Sequence, residues 1–347
     1  MKRRNLSASI AAAATFVVVG LAGTFAPDTA TAASFRYSQW LPVGHFSQGK
    51  VMHVYFKDIE KATQGRVKIQ PTAKGLGAPP RQYQLAVDGI ADVAWGPHGY
   101  TPGVHPLSEL SELPFVTRST EANSVAYWKV FEKHLQPGGM HKAVHTLMLH
   151  THPAGHLYNN KRAITKMADF NGLKIRIPNR SVSEALKIFG AVPVAGPVTQ
   201  IRNGLAKGVY DGTGFTDDAV MNFKITKFIK FATKFSGGLY NTSFFGVMNK
   251  KAWGKISKAD QAVVMKFSGA AFSKRLGAEW DRQELIGTSK LKEDGVKYHS
   301  LAGDTLAQVK DKLAGFERNW LDKAKAKGVD GVAALKMFRQ EVAAYGS

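Results

Sequence analysis

The chain has 347 residues, a formal net charge of +21, 44% hydrophobic and 21% charged residues, and no cysteine. That length accommodates two domains of ordinary size, and that composition excludes a disordered chain. The lack of cysteine excludes a disulfide framework, thiolate metal sites and cysteine nucleophiles.

Residues 1–32 read as an export signal. MKRRN is a basic start, LSASIAAAATFVVVGLAGTF an apolar core, and Ala30-Thr31-Ala32 a small-x-small cleavage site. A run of that length also raises a membrane anchor, but its Ala, Gly and Ser content and the cleavage site behind it favour removal. Arg3-Arg4 leaves Sec and twin-arginine export both open. Cleavage takes away Lys2, Arg3, Arg4 and Asp28, three positive charges and one negative, which lowers +21 to +19. The mature, exported protein would attract anions in general, from phosphates to small organic acids.

After residue 33, short apolar runs alternate with helical ones. ASFRYSQWL predicts a strand. In SQGKVMHVYFKDIEKATQG, Val51, Val54, Tyr55, Ile59 and Ala62 recur at helical steps, and Gly65 closes the helix. RVKIQPT alternates as a second strand. PPRQYQLAVDG predicts a short helix with proline in its first turn, and IADVAWG a third strand. The pattern resumes with AVHTLML and GLKIRIP as strands and with SVSEALKIFGA as a helix, begun by a capping box of Ser181 and Glu184. VPVAG, TQIRNGLAKG and VYDGTGF continue it as strand, helix and strand. Such alternation predicts parallel α/β layers in two closely joined lobes. Residues 257–294 carry a second capping box, Ser257 and Asp260, and helical spacing throughout. A continuous helix there would run roughly 55 Å and brace two lobes, unless Gly277 and Gly287 break it.

NGLKIRIPNR, residues 171–180, places two cations in an otherwise buried strand. Strand side chains alternate, so Leu173, Ile175 and Ile177 share one face while Lys174 and Arg176 take the other, and Pro178 ends the pairing. The pattern leaves open whether Arg176 neutralises a nearby acid or serves a ligand.

Other patterns exclude more than they assign. HKAVHTLMLHTHPAGH, residues 141–156, holds five histidines. No acidic ligand sits nearby and AVHTLML already reads as a core strand, so a metal site is not expected here. NFKITKFIKFATKF, residues 222–235, spaces Lys224, Lys227, Lys230 and Lys234 along one helical face, as an amphipathic helix packed on its sheet does, or a docking face. Hydrolase elbows, HExxH zinc motifs, phosphate loops and nucleic-acid motifs are absent from the sequence.

Taken in order, IEKATQGRVKIQ, QLAVDGIADVAW, PLSELSELPF, FNGLKIRIPN and NGLAKGVYDG behind an export signal resemble the DctP-type substrate-binding proteins of tripartite ATP-independent periplasmic (TRAP) transporters. The resemblance covers residues 33–345. It implies a two-lobed α/β periplasmic binding protein with hinge strands and a long helix spanning both lobes. Lobe I is then expected over 33–154 plus 243–282, and lobe II over 155–242 plus 283–347. It implies a periplasmic receptor that captures an organic acid anion and delivers it to TRAP membrane subunits, with no catalysis, cofactor or nucleic acid. The arginine of the family's GLKxRxP motif grips the ligand carboxylate, which makes Arg176 the counterpart. Asn179 fits the same motif and is expected to donate to the ligand. His156 stands twenty residues before Arg176, where many relatives carry a second arginine. It either donates one hydrogen bond to the ligand or is a hinge histidine without contact. Some relatives hold a cation through a glutamate where this chain has Thr213 and Gly214. Phe215 follows, and Trp40, Trp95, Tyr100 and Tyr240 are expected to join it in lining the cleft, with Phe244 contributing. Aromatic walls lean the reading toward a bulky or aromatic monocarboxylate. The alternatives are a small dicarboxylate or keto or hydroxy acid, or, in another class, an exported metal-dependent enzyme using the 141–156 histidines.

Overall fold

A computed structural model describes residues 32–345, so the expected export signal lies, all but its last residue, outside the described residues. In chain order the first lobe is β1 (Ala33–Ser38), α1 (His53–Ala62), β2 (Val67–Pro71), α2 (Gln82–Val87), β3 (Val93–Pro97), α3 (Thr120–Val130) and β4 (Val144–Thr151). The chain then crosses to β5 (His156–Asn159), β6 (Lys174–Ile177), α4 (Arg180–Ile188), β7 (Val192–Ala195), α5 (Ile201–Ala206), β8 (Gly212–Phe215), α6 (Asp217–Asn222) and β9 (Phe231–Lys234). It returns as β10 (Ser243–Asn249), α7 (Lys250–Gly254), α8 (Lys258–Phe267) and α9 (Gly269–Glu293), and ends with β11 (Lys297–Ser300), α10 (Gly303–Leu313), α11 (Gly315–Ala326) and α12 (Gly331–Ala344).

Two sheets result, ordered β2-β1-β3-β10-β4 and β11-β9-β5-β8-β6-β7. They are not purely parallel, as the alternation predicts. β10 runs antiparallel to β3 and β4, and β5 antiparallel to β8 and β9. These are the two strands that enter a sheet straight from the opposite lobe. Without a helical crossover behind them, they are free of the geometry that makes βαβ pairs parallel.

The helical pattern over 257–294 is interrupted once, at neither expected glycine. Gly269 takes φ +57 and a Cβ there would lie 2.8 Å from the Trp128 ring, so α8 and α9 are separate helices. Ser257 caps α8 as expected, accepting from the Asp260 amide. Gly277 and Gly287 sit inside the 25-residue α9, where they allow close backbone approach. A Cβ on Gly277 would meet Glu121 Cα at 2.5 Å, and one on Gly287 the Asp218 nitrogen at 2.5 Å. One glycine thus seats α9 on each lobe.

Two local readings need correcting. α4 is capped by Asn179, whose side chain accepts from the Val182 amide at 3.0 Å, and not by Ser181. Residues 222–235 are not one helix. α6 ends at Asn222, a short turn follows, and Phe231–Lys234 is β9. The four lysines therefore share no helical face, and Lys234 is spent on an ion pair with Asp217 at 2.7 Å. The tail also divides. Val309 and Leu313 of α10 pack with the second lobe's core, whereas Trp320 and Phe338 of α11 and α12 pack with Leu107, Trp128 and Phe131 of the first. The expected placement of the whole 283–347 segment with lobe II does not describe these last two helices.

Candidate functional site

β6 lies between β7 and β8, with Arg176 opposite Val194 and Thr213. Alternation buries Ile175 in the lobe core, yet Arg176 is itself only 1% exposed. Its Nε donates to the Gly196 carbonyl at 2.9 Å and its Nη2 to the Tyr100 hydroxyl at 3.2 Å. The guanidinium carbon stands 5.7 Å from the Phe215 ring centroid. Among the described residues no carboxylate ion-pairs with it. A buried cation without a counter-charge is costly, so this one is held at the expense of stability.

It faces a cavity of about 70 Å³ between the lobes, against the roughly 10–15 Å³ that one water needs. The wall is aromatic. Trp40 stacks on Trp95 (5.4 Å between centroids, 19° between planes), and Trp95 on Phe244 (5.2 Å, 10°). The indole N–H groups are consumed within the protein: Trp40 donates to the Trp95 carbonyl, Trp95 to His150 Nε2 and Trp280 to Asp218. What these rings offer the cavity is therefore apolar.

Against that surface stand two buried hydroxyls with no partner, Tyr240 OH and Thr242 Oγ1. An unsatisfied buried polar group costs about 1–3 kcal/mol. His45, His152 and Thr216, whose hydroxyl donates to Asp218, complete the polar lining, and burial pushes both histidines down to about 4, so both are neutral at neutral pH. Arg176 is the one lysine or arginine among the lining residues described.

The lobes touch beside this cavity. The Tyr100 hydroxyl, from the first lobe, accepts from Arg176 and also from the Val198 amide at 2.9 Å. Asn179 Nδ2 donates to Glu112 at 3.0 Å and to the Asn241 carbonyl at 2.9 Å. Glu112 also accepts from Ser243, and burial lifts its carboxyl to about 7.

Residues 38–323 match the family described as bacterial extracellular solute-binding protein, family 7, DctP. The chain belongs to this family. It is similar in structure to a TRAP periplasmic solute-binding protein from Bordetella bronchiseptica with bound (R)- and (S)-mandelate: TM-score 0.87, 32% identity, 90% of this chain and 99% of that one covered. It is also similar to a marine metagenome TRAP solute-binding protein specific for aromatic acid ligands, in complex with 3-hydroxybenzoate: TM-score 0.84, 30% identity, 91% and 100% covered. A third, from Rhodoferax ferrireducens T118 with copurified benzoate, gives TM-score 0.82 and 26% identity over 90% and 98%. The two-lobed fold with its long helix is thus that of DctP-type TRAP substrate-binding proteins, a family of extracytoplasmic receptors.

In this DctP-type protein, six of the residues singled out in the sequence meet at the cavity: Arg176, Phe215, Trp40, Trp95, Tyr100 and Tyr240, joined by Phe244. Two do not. Asn179 is used up as the α4 cap and the tie to Glu112. His156 lies on β5 outside the lining, accepting from the Phe235 amide at 3.3 Å, and burial drives its pKa well down. The histidines that do line the cavity are His45 and His152. Thr242, Trp280 and Phe223 were also missed. Nothing in their local pattern marks them, although residues 235–242 join β9 to β10 and a segment crossing between lobes must pass the cleft.

The five histidines of 141–156 do not assemble. His145 stacks on Trp253, His150 bonds Trp95 and the Thr151 carbonyl, and His152 turns to the Pro153 carbonyl. Among the described residues no helix is long and apolar enough to cross a membrane.

Proposed function

We propose that this protein is an exported receptor that captures one aromatic monocarboxylate per closure, through Arg176, and delivers it to TRAP membrane subunits without altering it. The observation that carries this is the buried guanidinium with no carboxylate of its own, at the edge of an aromatic cavity. Guanidinium offers parallel donors that match a carboxylate in plane. Two of its five N–H groups are taken, by Gly196 and Tyr100, which fixes the fork's orientation in advance.

One fixed positive charge in the lining favours one carboxylate over two. His156, the position where relatives carry a second arginine, is outside it, and His152 is neutral. Stacked rings favour a planar body on that carboxylate, in line with the mandelate, 3-hydroxybenzoate and benzoate held by three similar structures. Residues 1–32 would direct export and be removed.

A thermal-shift panel of mono-, di-, keto- and aromatic acids tests this, since a ligand raises the native state's Tm by mass action. Aromatic monocarboxylates should raise Tm in the parent and not in Arg176→Ala. Losing one partner of a buried ion pair costs about 3–5 kcal/mol, more than a hundredfold in affinity. Equal shifts in both proteins would remove Arg176 from the site. Shifts confined to dicarboxylates would overturn the ligand class.

A further inference from the structure

His98, His105 and His141 come from three separate stretches of the sequence and meet inside the first lobe, and none of them lines the ligand cavity. Each offers one ring nitrogen to a common point, the three atoms lying within 4.8 Å of one another. They are 2%, 7% and 5% exposed. His98 Nε2 and His141 Nε2 are 3.0 Å apart.

The surrounding bonds fix what those nitrogens can do. Ser243 Oγ spends its single hydrogen on Glu112, at 2.6 Å. It must therefore accept from His98 Nδ1, 3.0 Å away. His98 Nε2 is then a bare lone pair pointing at His141. His141 Nδ1 sits 3.0 Å from Thr146 Oγ1, which positions its Nε2 on the same point. His105 Nε2 is buried with no partner at all. His141 also holds φ +61, a backbone state uncommon for a residue with a side chain.

We infer that His98, His105 and His141 form a binding site for a zinc-class divalent cation, separate from the carboxylate cavity. Three imidazoles with no sulfur or carboxylate suit a borderline ion of this kind. Two nitrogens on one tetrahedral zinc, each 2.0–2.1 Å from the metal, lie roughly 3.3 Å apart, so the His98–His141 pair needs only a small rotation. The His98–Ser243–Glu112 chain supplies the outer carboxylate that orients a metal-bound histidine and offsets its charge. His105 and His141 both open onto a surface cleft of about 310 Å³ beside Tyr83, Met140 and Lys142, which gives an ion a route in and leaves its fourth position to water.

The test uses untagged, EDTA-stripped protein and Zn²⁺ alone as the probe, with Co²⁺ for its visible spectrum. The parent should keep one zinc per chain through dialysis and rise in Tm by several degrees when free zinc is at 100 times its Kd. Its Co²⁺ form should show the absorption of tetrahedral nitrogen ligation. His105→Phe keeps the ring that packs edge-on against Tyr83 at 4.4 Å and removes the nitrogen. His141→Asn keeps a residue that tolerates positive φ. Each should lose zinc affinity at least a hundredfold while its metal-free Tm stays within a few degrees of the parent's. Should one variant not fold, the other decides. A parent that retains no zinc overturns the inference, as does stoichiometric zinc binding unchanged in the variants; the trio would then be a hydrogen-bonded structural cluster.

Discussion

Asp281 and Glu284, one turn apart on α9, cap helices in opposite lobes. Asp281 accepts from the amides of Thr120 and Glu121 at the start of α3, at 2.7 and 3.0 Å. Glu284 accepts from those of Asp217 and Asp218 at the start of α6, at 3.1 and 2.9 Å. Each carboxylate meets unpaired N–H groups at the positive end of a helix. With Gly277 and Gly287 permitting contact on either side, α9 is clamped to both lobes by paired short-range devices.

The two caps are unequal. Burial and the neighbouring Asp218 and Asp217 push the Glu284 carboxyl well above the usual range, so part of its bonding is offset by crowding. Removing a cap costs about 0.5–2 kcal/mol. Asp281→Ala should therefore lower Tm by several degrees, and Glu284→Ala by less. Denaturant melts of both variants decide it; a larger loss for Glu284→Ala would show that crowding at α6 is not what governs.

Tyr100 joins the lobes through one oxygen that accepts from Arg176 and from Val198. Tyr100→Phe keeps the ring and removes that acceptor. A hydrogen bond to a charged group contributes about 1.5–3 kcal/mol, so calorimetry should show affinity for an aromatic acid falling tenfold to a hundredfold. Unchanged affinity would mean that closure does not depend on this bond.

Tyr240 offers a different contrast, because its buried hydroxyl has no hydrogen-bond partner within the protein. Tyr240→Phe should leave the unliganded Tm unchanged or raise it by a few degrees. Affinity should fall more for acids carrying a second polar group than for benzoate. A drop in unliganded Tm is the contrary result.

Acid should destabilise the protein. Burial lowers His45, His145 and His152 from 6.5 to about 4 and His150 to about 3, and holds His156 well below its ordinary value. Between those values and 6.5 the unfolded chain binds more protons than the fold, so stability rises with pH by about 1.4 kcal/mol per unit for each histidine fully titrating. Glu112 and Asp218, raised to about 7 and about 6, and the raised Glu284 act in the opposite sense. Five histidines outweigh three acids. In EDTA, Tm should be highest near pH 7 and fall as pH drops through 6 to 4. A Tm that stays flat or rises on acidification contradicts the burial of these rings.

Much of the fold was legible because it is local. Period-two and period-3.6 patterns named β1 to β4, β6 to β8, α1, α2, α4, α5 and the α8–α9 stretch, and left β5, β9 to β11, α3, α6, α7 and α10 to α12 unread; Ser257 announced its helix correctly. The failures were also local competitions settled at a distance. Residues 222–235 satisfied a helical count, but the β-sheet claimed Phe231–Lys234 and Asp217 claimed Lys234. Asn179 matched a ligand-binding motif, yet the amides of α4 and the carboxylate of Glu112 took its side chain.

The sequence by itself determined that a cation at Arg176 would stand on the strand face away from the core, because alternation along a strand needs no partner. It also determined the order of layers and the supply of aromatic rings. Only the tertiary structure decided that Arg176 would be buried without an acid, that His152 and not His156 would reach the cavity, and that His98 would meet His105 and His141. Those are distances between residues far apart in the chain. They are set when two sheets and α9 pack, and periodicity along one segment carries no information about them.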